Sequence, residues 1–332
     1  MGQAKSIPEQ LGEEFADIRL CKFRNLKNTC FCNSILQSLL NSTHVSCYLN
    51  SIKEIISTNG LPECFDSSPL MHFYVFYSIL QNSEEREILI NPQDFMESLY
   101  KNVEIFEKGV QHDAHEFFLY LISSFDSTIN DLNRVYGKSV LPPFSQLFQG
   151  VHVSSFTCSL CNHCKETRET FTFLSIAITG NADLQQLIDD ALAPEDVIGS
   201  NGVMCPKCDA IRDSCRMSYF AQAPPVLVIQ LQRFHFDPET SKMNRIGKNV
   251  KIPDEITLNS ATGSQIYHLK SIIMHSTMWI LGGHYVSIMK FSNNWVMADD
   301  KSLSIVPEVQ MTKFLGIDCN HDEAVPYVLF YE

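Results

Sequence analysis

No run of about 18 uninterrupted apolar residues occurs in the 332-residue sequence, so nothing in it is expected to cross a bilayer as a helix. Positive charge is also in deficit: 25 Lys and Arg stand against 38 Asp and Glu, a formal net charge of −13. That excludes the basic face a nucleic-acid binder needs and favours a partner with a basic face. Internal repeats, low-complexity tracts and long linkers are absent. The opening MGQAKSIPEQLGEE is polar and lacks the apolar stretch of a secretory signal, so the cytosol or nucleus is the expected location. Thiols stay reduced there. What the chain does have is 45% hydrophobic and 19% charged residues, a composition that builds a sizeable core rather than a disordered coil.

Twelve cysteines are present, and without disulfides they must sort into metal ligands, a nucleophile and core packers. Cys158-x2-Cys161 and Cys205-x2-Cys208 form two matched knuckles separated by the segment 162–204. Each C-x2-C turns two thiolates towards one point, and two such turns make a tetrahedral four-sulfur site suited to one structural zinc ion. The long separation predicts knuckles at the tips of two long hairpins. Cys164 stands three residues past Cys161 and is a competing ligand, although the 158/161 pair matches its counterpart better.

Along the chain the hydrophobic period changes once. Up to about residue 146, apolar residues recur at helical spacing, as in Ile35, Leu36, Leu39 and Leu40, in the aromatic run MHFYVFYSIL, and in NPQDFMESLY and DAHEFFLYLISSF. From Leu147 onward, β-branched and aromatic runs such as GVHVSSFTC, VLVIQLQRFHF, HYVSIMKF and YVLFYE predict strands, interrupted by one helix, DLQQLIDDALAP. Helices first and strands later indicate an α+β fold.

Cys30 lies where the polar segment Asn25–Thr29 meets an amphipathic helix. The unpaired N–H groups and positive dipole end of a helix start favour a thiolate there. The same N–H groups, with a side-chain amide such as Asn25, suit a developing oxyanion. A thiol nucleophile also needs a base, and Gly282-Gly283-His284-Tyr285 offers a histidine at the start of a strand. Asp299 and Asp300 close the next strand, where an antiparallel neighbour brings an acid to the imidazole and fixes its tautomer.

Together these residues resemble the ubiquitin-specific protease family. The resemblance rests on Asn25-x-x-Asn28-Thr29-Cys30-Phe31-Cys32-Asn33-Ser34, Gln111-His112-Asp113-Ala114-His115-Glu116-Phe117, the two C-x2-C pairs, Leu231-Gln232-Arg233-Phe234 and Gly283-His284-Tyr285, in that order, with Tyr327–Tyr331 similar to the last strand. It covers about residues 20–332 and is closest to the compact members activated by WD-repeat proteins. It implies a papain-like thumb and palm gripping the ubiquitin tail, and zinc-bearing fingers holding the ubiquitin body. A polar leader over 1–19 then precedes a thumb over about 20–145, fingers and part of the palm over 146–235, and the remaining palm over 236–332. By motif match Cys30 is the nucleophile, His284 the general base and then acid, Asp299 the orienting acid, Asn25 an oxyanion donor, and Asp300 an adjacent acid sharing the task. Gln111, Asp113 and Glu116 match the box that contacts the ubiquitin tail, whose arginines suit carboxylates.

Three departures stand out: Lys27 where the family has Gly, Lys22-Phe23 in place of Gly-Leu, and Ala298 where an aromatic is common. If position 27 requires positive φ, a lysine costs on the order of 1 kcal/mol there and disturbs Asn25. The implied activity is thiol-dependent hydrolysis after the C-terminal glycine of ubiquitin. The alternative is a catalytically weak ubiquitin-binding scaffold of the same fold. Met1-Gly2-Gln3-Ala4-Lys5-Ser6 also fits the N-myristoylation pattern at Gly2, and a single acyl chain gives only reversible membrane association.

Overall fold

Helices fill the first part of the chain because apolar residues there recur at three- and four-residue spacing. The computed structural model describes residues 6–7, 10, 18–101, 106–180, 182–237, 242–246, 248–279, 282–317 and 324–332. A short parallel pair, β1 (Leu20–Phe23) and β2 (Glu87–Ile90), flanks helices α1 (Cys30–Leu40), α2 (Thr43–Asn59), α3 (Pro69–Asn82), α4 (Gln93–Tyr100) and α5 (Ala114–Val135). The sequence periods predict four of these helices; α2, with its polar stretches, carried no such prediction. Its formation follows from Ser42, whose hydroxyl accepts from the Val45 N–H at 3.1 Å and so caps the first turn.

Helix α1 is buried on every side, polar residues included. Those polar side chains have partners, as burial demands: Gln37 Nε2 donates to the Cys21 carbonyl at 2.7 Å, and the Ser38 and Ser287 hydroxyls meet at 3.0 Å. The nucleophile candidate thus begins a helix pinned from both flanks. Helix α5 turns Phe117, Phe118, Leu121, Ile122 and Phe125 inward against it.

The second part of the chain is sheet. β3 (Gly150–Cys158), β4 (Cys164–Phe171) and β8 (Ser214–Gln222) form one arm, with β5 (Leu174–Ala177), β6 (Val203–Cys205) and β7 (Ala210–Arg212) between them in sequence. β9 (Leu227–Gln232), β10 (Glu255–Ser260), β11 (Gly263–Trp279), β12 (Gly282–Phe291), β13 (Asn294–Asp299), β14 (Ser302–Ile305) and β15 (Ala324–Tyr331) complete it. β15 lies between β9 and β11, and the order from there runs β11-β12-β13-β14. β9, β15 and the stretch Ser271–His275 of β11 are buried on both faces, which is why they are rich in consecutive apolar residues. Alternation divides them between two cores: Val228, Ile273, Val328 and Phe330 face the helices, while Ile229, Ile272, Leu329 and Tyr331 face the opposite side. There the α6 (Leu184–Leu192) and α7 (Glu308–Phe314) helices close the second core.

Glu332 ties the two parts together. Its carboxylate accepts from the Ser42 hydroxyl and, at 3.1 Å, from the Thr43 N–H at the start of α2, while its backbone pairs with His268. The expectation for Gly2 falls outside the described residues. The polar-leader expectation can be compared at a few positions only, and Ile7 is buried there against Leu20 and Val296.

Candidate active site and cysteine cluster

Thr29, the residue before α1, makes no side-chain capping bond, and Cys30 opens the helix in a buried position. The loop ahead of it is held by its own side chains. Asn25 Oδ1 accepts from the Thr29 N–H at 3.2 Å, and the Leu26 N–H donates to Thr29 Oγ1 at 2.9 Å. Lys27 and Asn28 both lie in the left-handed region, at φ 64 and 62°. Asn tolerates that conformation; a lysine is strained there, so the departure at position 27 has the backbone consequence that the sequence comparison raises.

His284 stands near the start of β12, and Asp299 is the last residue of the adjacent antiparallel strand β13. His284 Nε2 lies 2.6 Å from Asp299 Oδ1. The neighbouring Cys30 side chain, and after it the Asp299 carboxylate, raise the histidine from its ordinary 6.5 to about 9 against the opposing effect of burial. His284 and Asp299 thus face each other across one hairpin, and Cys30 comes to the imidazole from the chain-distant start of α1. Such an arrangement holds a proton on imidazole while a thiolate attacks.

Asp300 takes a different position from its neighbour. At φ 48° one of its carboxylate oxygens stays within 4.8 Å of an imidazole nitrogen, but its hydrogen bonds go elsewhere: Oδ2 accepts from Asn25 Nδ2 at 2.8 Å and Oδ1 from Asn33 Nδ2 at 2.7 Å. Its carbonyl accepts from the Phe23 N–H at 2.9 Å. Asp300 thus holds the amide of Asn25 in place.

The Gln111–Glu116 segment separates into three roles. Gln111 clamps the loop before His284 with two hydrogen bonds of 2.8 Å, Nε2 to the Gly283 carbonyl and the Gly283 N–H to Oε1. Asp113 caps α5, Oδ1 accepting from the His115 and Glu116 N–H groups at 2.8 and 3.0 Å. Its Oδ2 accepts from the Tyr327 hydroxyl at 2.6 Å. Only Glu116, exposed in the first turn of α5, has a carboxylate free of such internal bonds. Asn33, Tyr327 and the clamp made by Gln111 are the participants that sequence reasoning did not assign. Their residues lie within quoted motifs, but the partners named above stand 172 to 267 positions away.

At the far end of the arm, Cys158 closes β3, Cys161 lies in the turn that follows, Cys205 closes β6 and Cys208 lies in the turn to β7. All four sulfur atoms fall within 4.8 Å of one another, with Cys161 and Cys205 3.6 Å apart and Cys158 and Cys208 4.0 Å apart. Cys164 starts β4 and is exposed, outside the cluster. One knuckle caps a long hairpin, as expected. The other caps a hairpin with only three residues per strand, a correction to the expectation of two long ones. Backbone N–H groups of Cys161 and Leu160 pull Cys158 down to about 7, while hydrogen bonding to Cys161 pushes Cys208 up to about 12. Four crowded thiols of this kind suit a divalent cation, which lets all of them ionise together.

A family model described as ubiquitin carboxyl-terminal hydrolase matches residues 21–331. Over 365 aligned residues, ubiquitin carboxyl-terminal hydrolase 4 of Arabidopsis thaliana is 25% identical, covering 100% of this chain and 99% of that protein. Ubiquitin carboxyl-terminal hydrolase 12 of Salmo salar is 23% identical, covering 99% and 94%. Among solved structures, the Ubp8-containing SAGA DUB module bound to monoubiquitin shares the fold at a TM-score of 0.75 and 23% identity, covering 93% of this chain and 68% of that one.

Proposed function

The chain belongs to the ubiquitin carboxyl-terminal hydrolase family, and from that premise we propose that this deubiquitinating cysteine peptidase works through Cys30, His284 and Asp299. The observation that carries the assignment is the imidazole of His284, 2.6 Å from Asp299 and with the Cys30 side chain as the foremost influence on its protonation. The Cys30 thiolate attacks the carbonyl carbon of the last glycine of ubiquitin, forming the C–S bond and placing the negative charge on oxygen. Asn25 Nδ2 and the first-turn N–H groups of α1 stabilise that oxyanion. On collapse the C–N bond breaks and the departing amine takes the proton from His284. Water then attacks the thioester, gives its proton to His284, and releases ubiquitin and the thiolate. Asp299 keeps the imidazole oriented, and Asp300 holds Asn25.

Cys158, Cys161, Cys205 and Cys208 would hold one zinc ion. With four protein sulfurs its role is structural, because no position is left for substrate. Glu116 is the best-placed carboxylate for the ubiquitin tail, while Gln111 and Asp113 support it through the loops they hold. The leader, thumb, fingers and palm divisions, a cytoplasmic or nuclear location, a WD-repeat activator and acylation at Gly2 complete the reading. None of the described helices is long and apolar enough to cross a membrane.

The test is a ubiquitin probe with a C-terminal electrophile. Wild type should label at Cys30, and Cys30→Ala should bind ubiquitin without labelling. Labelling of Cys30→Ala would move the nucleophile elsewhere, with Cys32 the next candidate. The positive φ of Lys27 favours a second reading, a weakly active ubiquitin binder, for which wild type would bind but label slowly.

A further inference from the structure

A cavity of about 330 Å³ opens beside the site, between the loop leading into α1, the outer face of α4 and the turn at Lys108-Gly109. Asn25 belongs to both the cavity and the catalytic centre. Gln111, Asp113, Glu116 and Tyr285 contribute nothing to its lining. It therefore draws on a different set of side chains from those assigned to the ubiquitin tail, while sharing Asn25 with the catalytic centre. Under the hydrolase reading, a cavity beside the oxyanion donor and outside the tail-binding side chains is open to the amine side of the bond, the chain that carries the modified lysine.

Its walls fit a particular kind of segment. Met96, Leu26 and the Tyr100 ring supply an apolar floor. Lys27 and Lys108 are exposed at the rim, and neither forms an ion pair among the described residues. Lys108 Nζ sits 5.6 Å from the centre of the Tyr100 ring, which keeps the cation over the cavity. Glu97 is the opposing charge, and its carboxylate accepts from Gln93 Nε2 at 3.1 Å. The loops that present the two lysines are joined to each other: Asn28 Nδ2 donates to the Gly109 carbonyl at 2.8 Å. The cationic rim is thus held in fixed relation to Asn25. In a chain of net charge −13, two unpaired cations beside the reaction centre form a local reversal of sign.

Resting on the hydrolase reading above, we propose that this cavity is a leaving-group subsite, in which Lys27 and Lys108 select ubiquitinated segments bearing an acidic side chain close to the modified lysine. The strain at Lys27 then has a use, since glycine at this position would remove one of the two cations that recognise the acceptor.

The experiment compares two substrates on the full chain: ubiquitin joined by an isopeptide bond to a fluorescent peptide whose lysine is flanked by Asp and Glu, and the same conjugate flanked by Lys. Wild type should favour the acidic conjugate in kcat/KM by about fivefold at low salt, the scale of exposed ion pairs. The preference should fade at high salt. Lys108→Glu and Lys27→Glu should each diminish it, and the double variant should reverse it. Because the readout is a ratio of two conjugates on one protein, changes common to both cancel. Equal rates for the two conjugates, a preference for the basic one, or a preference untouched by both variants would each overturn the subsite. Failure of wild type to label with the electrophilic ubiquitin probe would instead overturn the hydrolase reading beneath it.

Discussion

The helical part and the fingers-like arm solve the same stability problem differently. Around α1 and α5 the chain buries aromatic rings against one another: Phe118 is fully buried, with its ring 5.2 Å from Phe148 and 5.6 Å from Phe330. In the arm, β4 exposes Cys164 through Thr170 without interruption, and the sheet has water on much of both faces. Among the described residues no comparable apolar core covers that end; there the four-thiol cluster ties the tips of the β3–β4 and β6–β7 hairpins, beside the backbone bond from the Ser159 N–H to the Asp213 carbonyl. Burial holds the site in place, whereas the arm depends on a point attachment.

If that contrast is right, metal removal gives the largest effect and the most local one. Elemental analysis should find one zinc per chain. Chelation or Cys205→Ser should open the arm to proteolysis while the helices remain protected, because the binding energy of a structural zinc, about 10–16 kcal/mol in small peptides, is folding energy. Cys164→Ser should do little. Protection lost evenly through the whole chain would erase the distinction between the two regions.

Next in size, Phe118→Ala should cost about 3–5 kcal/mol in denaturant unfolding, as for other large aromatic truncations, whereas Met217→Ala, at 53% exposure on the arm, should stay within about 0.5 kcal/mol. Comparable losses at both positions would mean that the arm also relies on packing.

Within the site, Asp299→Asn should lower kcat by on the order of a hundredfold. It should also move the alkaline limb of the pH–rate profile. His284 is raised to about 9, so the protonated imidazole paired with Cys30 persists up to that pH and is lost above it; removing a carboxylate that raises it must shift the limb downward. The same sign applies to stability: this contribution is complete below about pH 6.5 and disappears as pH rises through about 9. Asp300→Ala should reduce kcat less and leave the limb where it is, since its contacts are to Asn25 and Asn33. A limb that moves with Asp300 would reverse the assignment of the two acids.

The smallest expected change is a gain. Lys27→Gly removes the left-handed strain of a side-chain-bearing residue at φ 64° and should raise basal kcat on a small ubiquitin C-terminal fluorogenic substrate by up to about tenfold, equivalent to roughly 1.4 kcal/mol. Affinity for ubiquitin should not tighten. Equal or slower turnover would show that the loop around Asn25 is already productive with lysine in place.

Much of this was legible from the order of residues because both relevant signals are local. A change of hydrophobic period from helical to alternating marked where helices give way to sheet, and the C-x2-C spacings marked the ligand turns. Cys30 at a helix start, His284 at a strand start and Asp299 at the end of the next strand were readable for the same reason: side-chain chemistry and local conformation were both set within a few residues.

Other assignments needed the folded chain. Gln111 and Asp113 were read as contacts for the ubiquitin tail, yet their polar atoms meet Gly283 and Tyr327, 172 and 214 residues away. Only the family resemblance separates Asp299 from Asp300 in sequence, whereas in the fold the Asp300 carboxylate, at φ 48°, bonds Asn25, 275 residues distant. The chain by itself determined which groups were available and which local elements they would occupy, because propensity and periodicity act over one or two turns. Only tertiary structure decided which group meets which, because a hydrogen bond between distant residues depends on the packing that brings their backbones within 3 Å.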